Sequence, residues 1–214
     1  MIQSISSVIH YSLFFPIFII CMTILIFASL IKFEWFFKLA GPVCRLFMKS
    51  LGAKIKVEGI FPEKGSYVVM SNHSSFIDPF IYPFFMKGIF TGIVARYNFK
   101  YPIWAQVLKR VRAIPVDRKN RERAIESIKQ AEQVLKQGIH IAILPEGTRT
   151  LTGKLGIMKK GGFHLAINTG ASIIPVGIEG AYEFKPKSTW KLSKGTITVR
   201  VGDPISSKSL GFKK

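Results

Sequence analysis

The sequence predicts an α/β fold, a mixed sheet flanked by helices, behind an N-terminal helical segment embedded in a membrane. Three observations carry this reading. From about residue 54 onward, short apolar runs alternate with segments of helical periodicity. The first fifty residues are almost continuously apolar and aromatic. The 214-residue chain is long enough for one α/β domain plus an appendage.

The elements follow in order. Residues 8–31 contain no Asp, Glu, Lys or Arg, and only His10 is ionisable. As a helix this stretch extends about 36 Å, enough to cross a bilayer core. It makes a poor signal peptide, because no basic residue precedes it and no small-residue cleavage site follows. Pro16 is a possible kink. Lys32, Lys38, Arg45, Lys49, Lys54 and Lys56 come next, so a spanning segment would leave the rest of the chain in the cytoplasm. Residues 33–51 form a second apolar piece interrupted by Lys38, Arg45 and Lys49, with Gly41-Pro42 expected to break or bend it. Aromatics alternating with Lys read as an interfacial amphipathic helix, with a buried core helix as the alternative.

Residues 54–58 alternate charged and apolar side chains, as a half-exposed strand does. Residues 67–71 are a buried strand. Pro83 limits any helix over 80–86 to a short or kinked one. A short strand is expected over 93–95, a helix over 102–109 and a strand over 111–116. In 121–137, Ala124, Ile128, Ala131 and Leu135 share one helix face, and Gly138 stops the helix. Strands over 139–144, 172–178 and 196–201, and a helix over 161–168 ended by Gly170, complete the pattern. Residues 206–214 are polar and basic and are expected to fray.

Composition narrows the chemistry. Lys and Arg number 31 against 12 Asp and Glu, a net charge of +19, which calls for anionic partners. Nucleic acid is disfavoured, because the aromatics cluster in the apolar N-terminus and not among basic residues where bases could stack. Cys21 and Cys44 lie in the apolar pieces without metal-ligand spacing, and read as small buried hydrophobes. His10, His140 and His164 form no spaced set with carboxylates or Cys, so no metal is expected.

Four constellations stand out. In Asn72-His73-Ser74-Ser75-Phe76-Ile77-Asp78, a His and a carboxylate follow a buried strand. Residues five apart differ by about 140° around a helix and cannot face each other on one. His73 must therefore precede the helix, with Asp78 folding back to fix its tautomer and leave the other nitrogen as a general base. The plainer role for Asp78, followed by Pro79, is a helix cap. No Gly-x-Ser-x-Gly elbow is present, so the activated hydroxyl can belong to a substrate. Pro145-Glu146-Gly147-Thr148-Arg149 also leaves a strand. Gly147 permits close approach of backbone to ligand, Arg149 can grip phosphate bidentately, and Glu146 can orient Arg149 or accept from a ligand hydroxyl. Val116-Asp117-Arg118 offers a second Arg, with Asp117 or Asn120 as cap of the next helix. Lys159-Lys160-Gly161-Gly162 precedes a helix start, where Lys160 and backbone N–H groups make an anion site.

Together these blocks resemble the glycerolipid acyltransferases. The run from Asn72 to Asp78 looks like that family's His-x4-Asp signature, Ile114 to Arg118 its second block, Pro145 to Arg149 its third and Ile174-Pro175-Val176 its fourth, in the family's order over residues 54–204. Arg112 departs from the pattern, at a position often held by Gly. The resemblance is strongest to the bacterial branch acting on lysophosphatidic acid. It implies that residues 1–52 are membrane-anchoring helices and residues 53–214 the catalytic domain, with the glycerolipid acyltransferase fold. It implies that His73, oriented by Asp78, deprotonates the sn-2 hydroxyl of lysophosphatidic acid for direct attack on the thioester of acyl-CoA or acyl carrier protein. No cofactor is required beyond that co-substrate. Arg118, Glu146, Gly147 and Arg149 would hold the acceptor, with Lys160 as our own addition. A bacterial inner membrane is the implied location, with the catalytic domain on the cytoplasmic face. Glycerol-3-phosphate or a lyso-ornithine lipid are the alternative acceptors, and a non-catalytic basic membrane-binding protein is the alternative outside the family's chemistry.

Overall fold

The computed structural model describes residues 2–118 and 120–208. Two helices open the chain, α1 (Ile2–Ile31) and α2 (Phe33–Ser50), and both run through an internal proline, Pro16 and Pro42. The break expected at Gly41-Pro42 therefore does not occur. The helix keeps its course because its inner face, with Phe36, Cys44, Phe47 and Met48, is anchored in the core. Gly41 serves a different purpose. A Cβ there would come within 3.3 Å of the Pro83 carbonyl oxygen, so glycine lets that turn approach.

The strands are β1 (Ala53–Glu58), β2 (Val68–Ser71), β3 (Phe90–Ala95), β4 (Ile114–Val116), β5 (His140–Ile143), β6 (Ile173–Glu179) and β7 (Gly195–Val201). Among the described residues they form one sheet in the order β1-β7-β6-β2-β5-β3-β4. Neighbours are parallel except β6 and β7, so the sheet is mixed, as the sequence predicts. Pro115 is tolerated because β4 is an edge strand.

Helices cover both faces. On one, α1, α2 and α4 (Pro102–Arg110) bring Phe14, Leu25, Phe47 and Val107 against Val69, Ala142 and Ile174. On the other, α5 (Arg121–Lys136) and α6 (Gly161–Thr169) bring Ala131, Leu135 and Leu165 against Val68, Ile141 and Ile173. Val68 and Val69 thus face opposite layers, which is why β2 reads as a continuous apolar run. The short α3 (Asp78–Ile81) passes directly into a 3₁₀ turn over Tyr82–Phe84, as Pro83 requires. A 3₁₀ turn over Arg96–Lys100 and the short α7 (Ala181–Phe184) have no clear periodicity in the sequence.

Several boundaries differ from expectation, and β3, expected over 93–95, already begins at Phe90. The strand expected from residue 111 begins at Ile114, because α4 runs to Arg110 and the chain reverses through Arg112. Arg112 has φ +54°, the one non-glycine residue with positive φ among those described. Its guanidinium lies 5.0 Å from the Phe33 ring and donates to Gln137 at 3.2 Å. At the other end, Ser207 is buried and donates to the carbonyls of Ala166 and Ala171 at 2.9 and 2.6 Å. Fraying therefore does not begin at residue 206, and residues 209–214 of the expected tail lie outside the described residues.

Candidate active site

β2, β4 and β5 are parallel with β3 between the last two, so the segments leaving their C-terminal ends emerge at one edge of the sheet. His73 follows β2, Arg118 follows β4, and Glu146 to Arg149 follow β5.

The His73 turn is built almost entirely from polar side chains bonding backbone. Asn72 accepts from the Ile178 N–H at 2.7 Å and donates to the Ile178 carbonyl at 2.8 Å, tying the turn to β6. Asp78 is fully buried at the start of α3. It accepts from the N–H groups of Ser74 at 2.8 Å and Ser75 at 3.0 Å, and meets His73 Nδ1 at 2.8 Å. Its carboxylate bonds the turn preceding it, so the capping role in the following helix gives way to this one; Ile77 occupies the N-cap position. A carboxylate only accepts, so Nδ1 carries the proton and Nε2 is left as a base. Tyr82 shares a hydrogen bond of 2.8 Å with Ser71 beneath the turn, and burial pushes its phenol well above the ordinary value, keeping it neutral.

Glu146 has partners other than those expected from the sequence. It is 6% exposed. Oε1 accepts from the His73 backbone N–H at 2.6 Å, and Oε2 accepts from the Gly156 N–H at 2.7 Å. Both carboxylate oxygens thus serve backbone, whereas the sequence offers orientation of Arg149 or acceptance from a ligand hydroxyl. The Thr150 N–H completes the clamp by donating to the His73 carbonyl at 2.8 Å. Gly147 has φ +72°, and a Cβ there would come within 3.2 Å of Lys159 Cε. Lys159 thus overlies this turn, whereas Lys160 is exposed at the head of α6 and does not line the cavity described next. Asn120, and not Asp117, caps α5 by accepting from the Arg123 N–H at 3.0 Å, while Asp117 pairs with the Arg123 side chain at 3.2 Å.

His73 lines a cavity of about 840 Å³. Phe14, Phe18 and Met22 of α1, Phe36 and Ala40 of α2, and Trp104 and Val107 of α4 form its apolar walls. Arg118, Arg149 and Lys187 also line it, and no carboxylate does among the described residues. One space is thus lined by apolar side chains, three cations and an imidazole. Two features of it have no signature in the sequence. The channel forms only when α1, α2 and α4 meet over the sheet. Lys187 arrives on a loop after α7 that carries no motif.

Comparisons with known proteins agree with this architecture. A sequence profile described as Acyltransferase matches residues 54–179. A 1-acyl-sn-glycerol-3-phosphate acyltransferase of Cocos nucifera is 33% identical over 165 residues, covering 76% of this chain and 53% of that protein. One from Pseudomonas aeruginosa is 31% identical over 166 residues, covering 75% of this chain and 62% of that protein. The chain thus spans little more than half the length of these curated relatives. The crystal structure of the 1-acyl-sn-glycerophosphate acyltransferase PlsC from Thermotoga maritima superposes with a TM-score of 0.84 at 21% identity, over 99% of this chain and 89% of that one, and establishes a shared fold. With its profile matched from β1 to the end of β6, across every strand that delivers a site residue, the chain belongs to the acyltransferase family.

Proposed function

We propose that this protein transfers an acyl chain from a thioester to the sn-2 hydroxyl of lysophosphatidic acid, giving phosphatidic acid. One observation carries the reading: a carboxylate-oriented imidazole lining a cavity whose other lining groups are mostly apolar, with three cations among them. An acceptor with a phosphate and a donor with a hydrocarbon chain match those two kinds of lining.

His73 Nε2 takes the proton of the acceptor hydroxyl, and the oxygen attacks the thioester carbonyl carbon. The tetrahedral intermediate collapses, the C–S bond breaks, and the imidazolium returns its proton to the leaving thiolate. Asp78 stabilises the imidazolium while it exists. Arg118 and Arg149 hold the acceptor phosphate. Glu146 and Gly147 act through the backbone, fixing His73 and letting Lys159 approach. The donor is acyl-CoA or acyl carrier protein, and a net charge of +19 favours encounter with an acidic carrier.

We read α1 as lying within one leaflet. It is about 45 Å long, and both its ends are tied to the same domain. Tyr11 donates to the Trp190 carbonyl at 2.9 Å near one end, and Ser29 accepts from Arg110 Nε at 2.7 Å near the other. Its outer face, with Ile9, Phe15, Ile20, Phe27 and Leu30, is exposed and apolar, as burial in lipid requires. A bacterial inner membrane entered from the cytoplasmic face is the setting that fits the proposed substrates.

A thioester-consumption assay on the purified protein tests the reading across lysophosphatidate, glycerol-3-phosphate and lyso-ornithine lipid. Preference for lysophosphatidate is expected, and thioester turnover that no acceptor stimulates would contradict it.

A further inference from the structure

We propose that Lys187 is a third phosphate-binding cation of the acceptor site, beside Arg118 and Arg149, an assignment that rests on the acyltransfer reading. Lys187 lines the cavity with His73, Thr148 and both arginines. Its Nζ lies 3.5 Å from Thr148 Oγ1, in the turn that carries Arg149. None of the described ion pairs includes Arg118, Arg149, Lys185 or Lys187. The two carboxylates that bond the His73 turn are already committed: Asp78 to His73 and the Ser74 and Ser75 N–H groups, Glu146 to the His73 and Gly156 N–H groups. Cations gathered without a carboxylate repel one another, and an arriving phosphate relieves that repulsion. The crowding already registers on Lys185, whose ammonium is held below its ordinary value, first by burial and then by the charge of Arg149.

The loop that carries Lys187 is fixed on both sides. Before it, the Lys185 carbonyl accepts from Ser75 Oγ at 2.8 Å, which staples the loop to the His73 turn. The Lys185 ammonium donates to the Pro186 carbonyl at 2.9 Å and lies 5.7 Å from the Phe76 ring. After it, the loop is clasped by the one polar stripe of α1. The Leu192 N–H donates to Ser7 Oγ at 2.9 Å, Gln3 donates to Ser193 Oγ at 3.1 Å, and Tyr11 donates to the Trp190 carbonyl at 2.9 Å. A loop held this way presents its lysine at a set place, so little ordering entropy is lost when phosphate binds. An ammonium with three donors suits a phosphate monoester approached from the side that the arginine forks leave open.

Phosphate also occurs on the thioester donors, so the test separates the two sources. Full-length wild type, Lys187→Gln and Lys187→Arg are compared for equilibrium binding of lysophosphatidate and of phosphate-free 1-monoacylglycerol in mixed micelles, and for the KM of each substrate. Lys187→Gln should weaken lysophosphatidate binding about ten-fold or more, the loss expected for one charge-assisted hydrogen bond. Monoacylglycerol binding and thioester KM should stay within about three-fold. Lys187→Arg should recover most of the loss. Unchanged lysophosphatidate binding overturns the proposal, as does equal weakening of both lipids, or a rise confined to thioester KM, which would assign Lys187 to the donor. The binding measurement reads Lys187 even if the wild type transfers no acyl group, so failure of the reaction and failure of this assignment are distinguishable.

Discussion

The backbone N–H of His73 donates to Glu146 Oε1 at 2.6 Å, so the third sequence block holds the first in place from the adjacent strand. With Gly156 on the other oxygen, Glu146 satisfies two backbone donors at once. A glutamine cannot do this, because its amide presents only one oxygen. Glu146→Gln should therefore leave one N–H facing an NH₂, costing about 1–3 kcal/mol. Thermal melting reads this as a fall of about 2–4 °C per kcal/mol, and turnover should fall with it as the His73 turn loosens. An unchanged melting midpoint would show that the clamp contributes nothing.

Arg118 and Arg149 follow different strands and line the same cavity. Their forks, more than their charge, suit phosphate. Arg118→Lys and Arg149→Lys should each raise the acceptor KM or lower kcat/KM by about ten-fold, the loss of one charged hydrogen bond. Thioester KM should change little. Intact lysophosphatidate kinetics in both variants would remove these residues from the acceptor site.

The apolar helices carry two separable expectations. Hydrocarbon burial is not screened by salt, whereas headgroup attraction is, with a Debye length of about 3 Å at 1 M. Full-length protein should stay in the membrane pellet through a wash near that strength, and release would make its attachment electrostatic. Phe14, Phe36 and Phe47 pack into the same core as Val69 and Ile174. A chain beginning at residue 53 should therefore expose that face, lose the cavity wall and aggregate. A well-folded, active truncated chain would show that the two helices are only an anchor.

Much of this architecture is legible in the sequence, and the exceptions have physical causes. The neighbourhood of His73 and Asp78 is readable because a five-residue spacing excludes a shared helix face and forces the carboxylate to fold back. The strands are readable because β2 and β5 are buried on both sides and carry uninterrupted apolar runs. The partners of Glu146 are not readable, since they are backbone groups that carry no signature in side-chain identity. Arg112 belongs to an apolar stretch and reads as strand, yet it takes a left-handed turn that glycine would take more easily. The clasp of Gln3, Ser7 and Tyr11 joins residues nearly the whole chain apart, and Lys187 meets Thr148 from another loop, so no local pattern announces either pairing.

The central claim is that His73 is the base of a direct transfer, and the turnover of His73→Ala tests it most directly. Single-turnover and steady-state thioester consumption with lysophosphatidate should fall at least ~10²-fold, the usual contribution of a positioned base. Asp78→Asn should follow it down, because the imidazole loses the anion that fixes its tautomer. No acyl group should remain attached to the wild-type protein after quenching. Near-normal turnover in a well-folded His73→Ala protein, or a trapped covalent acyl-enzyme, would contradict the account.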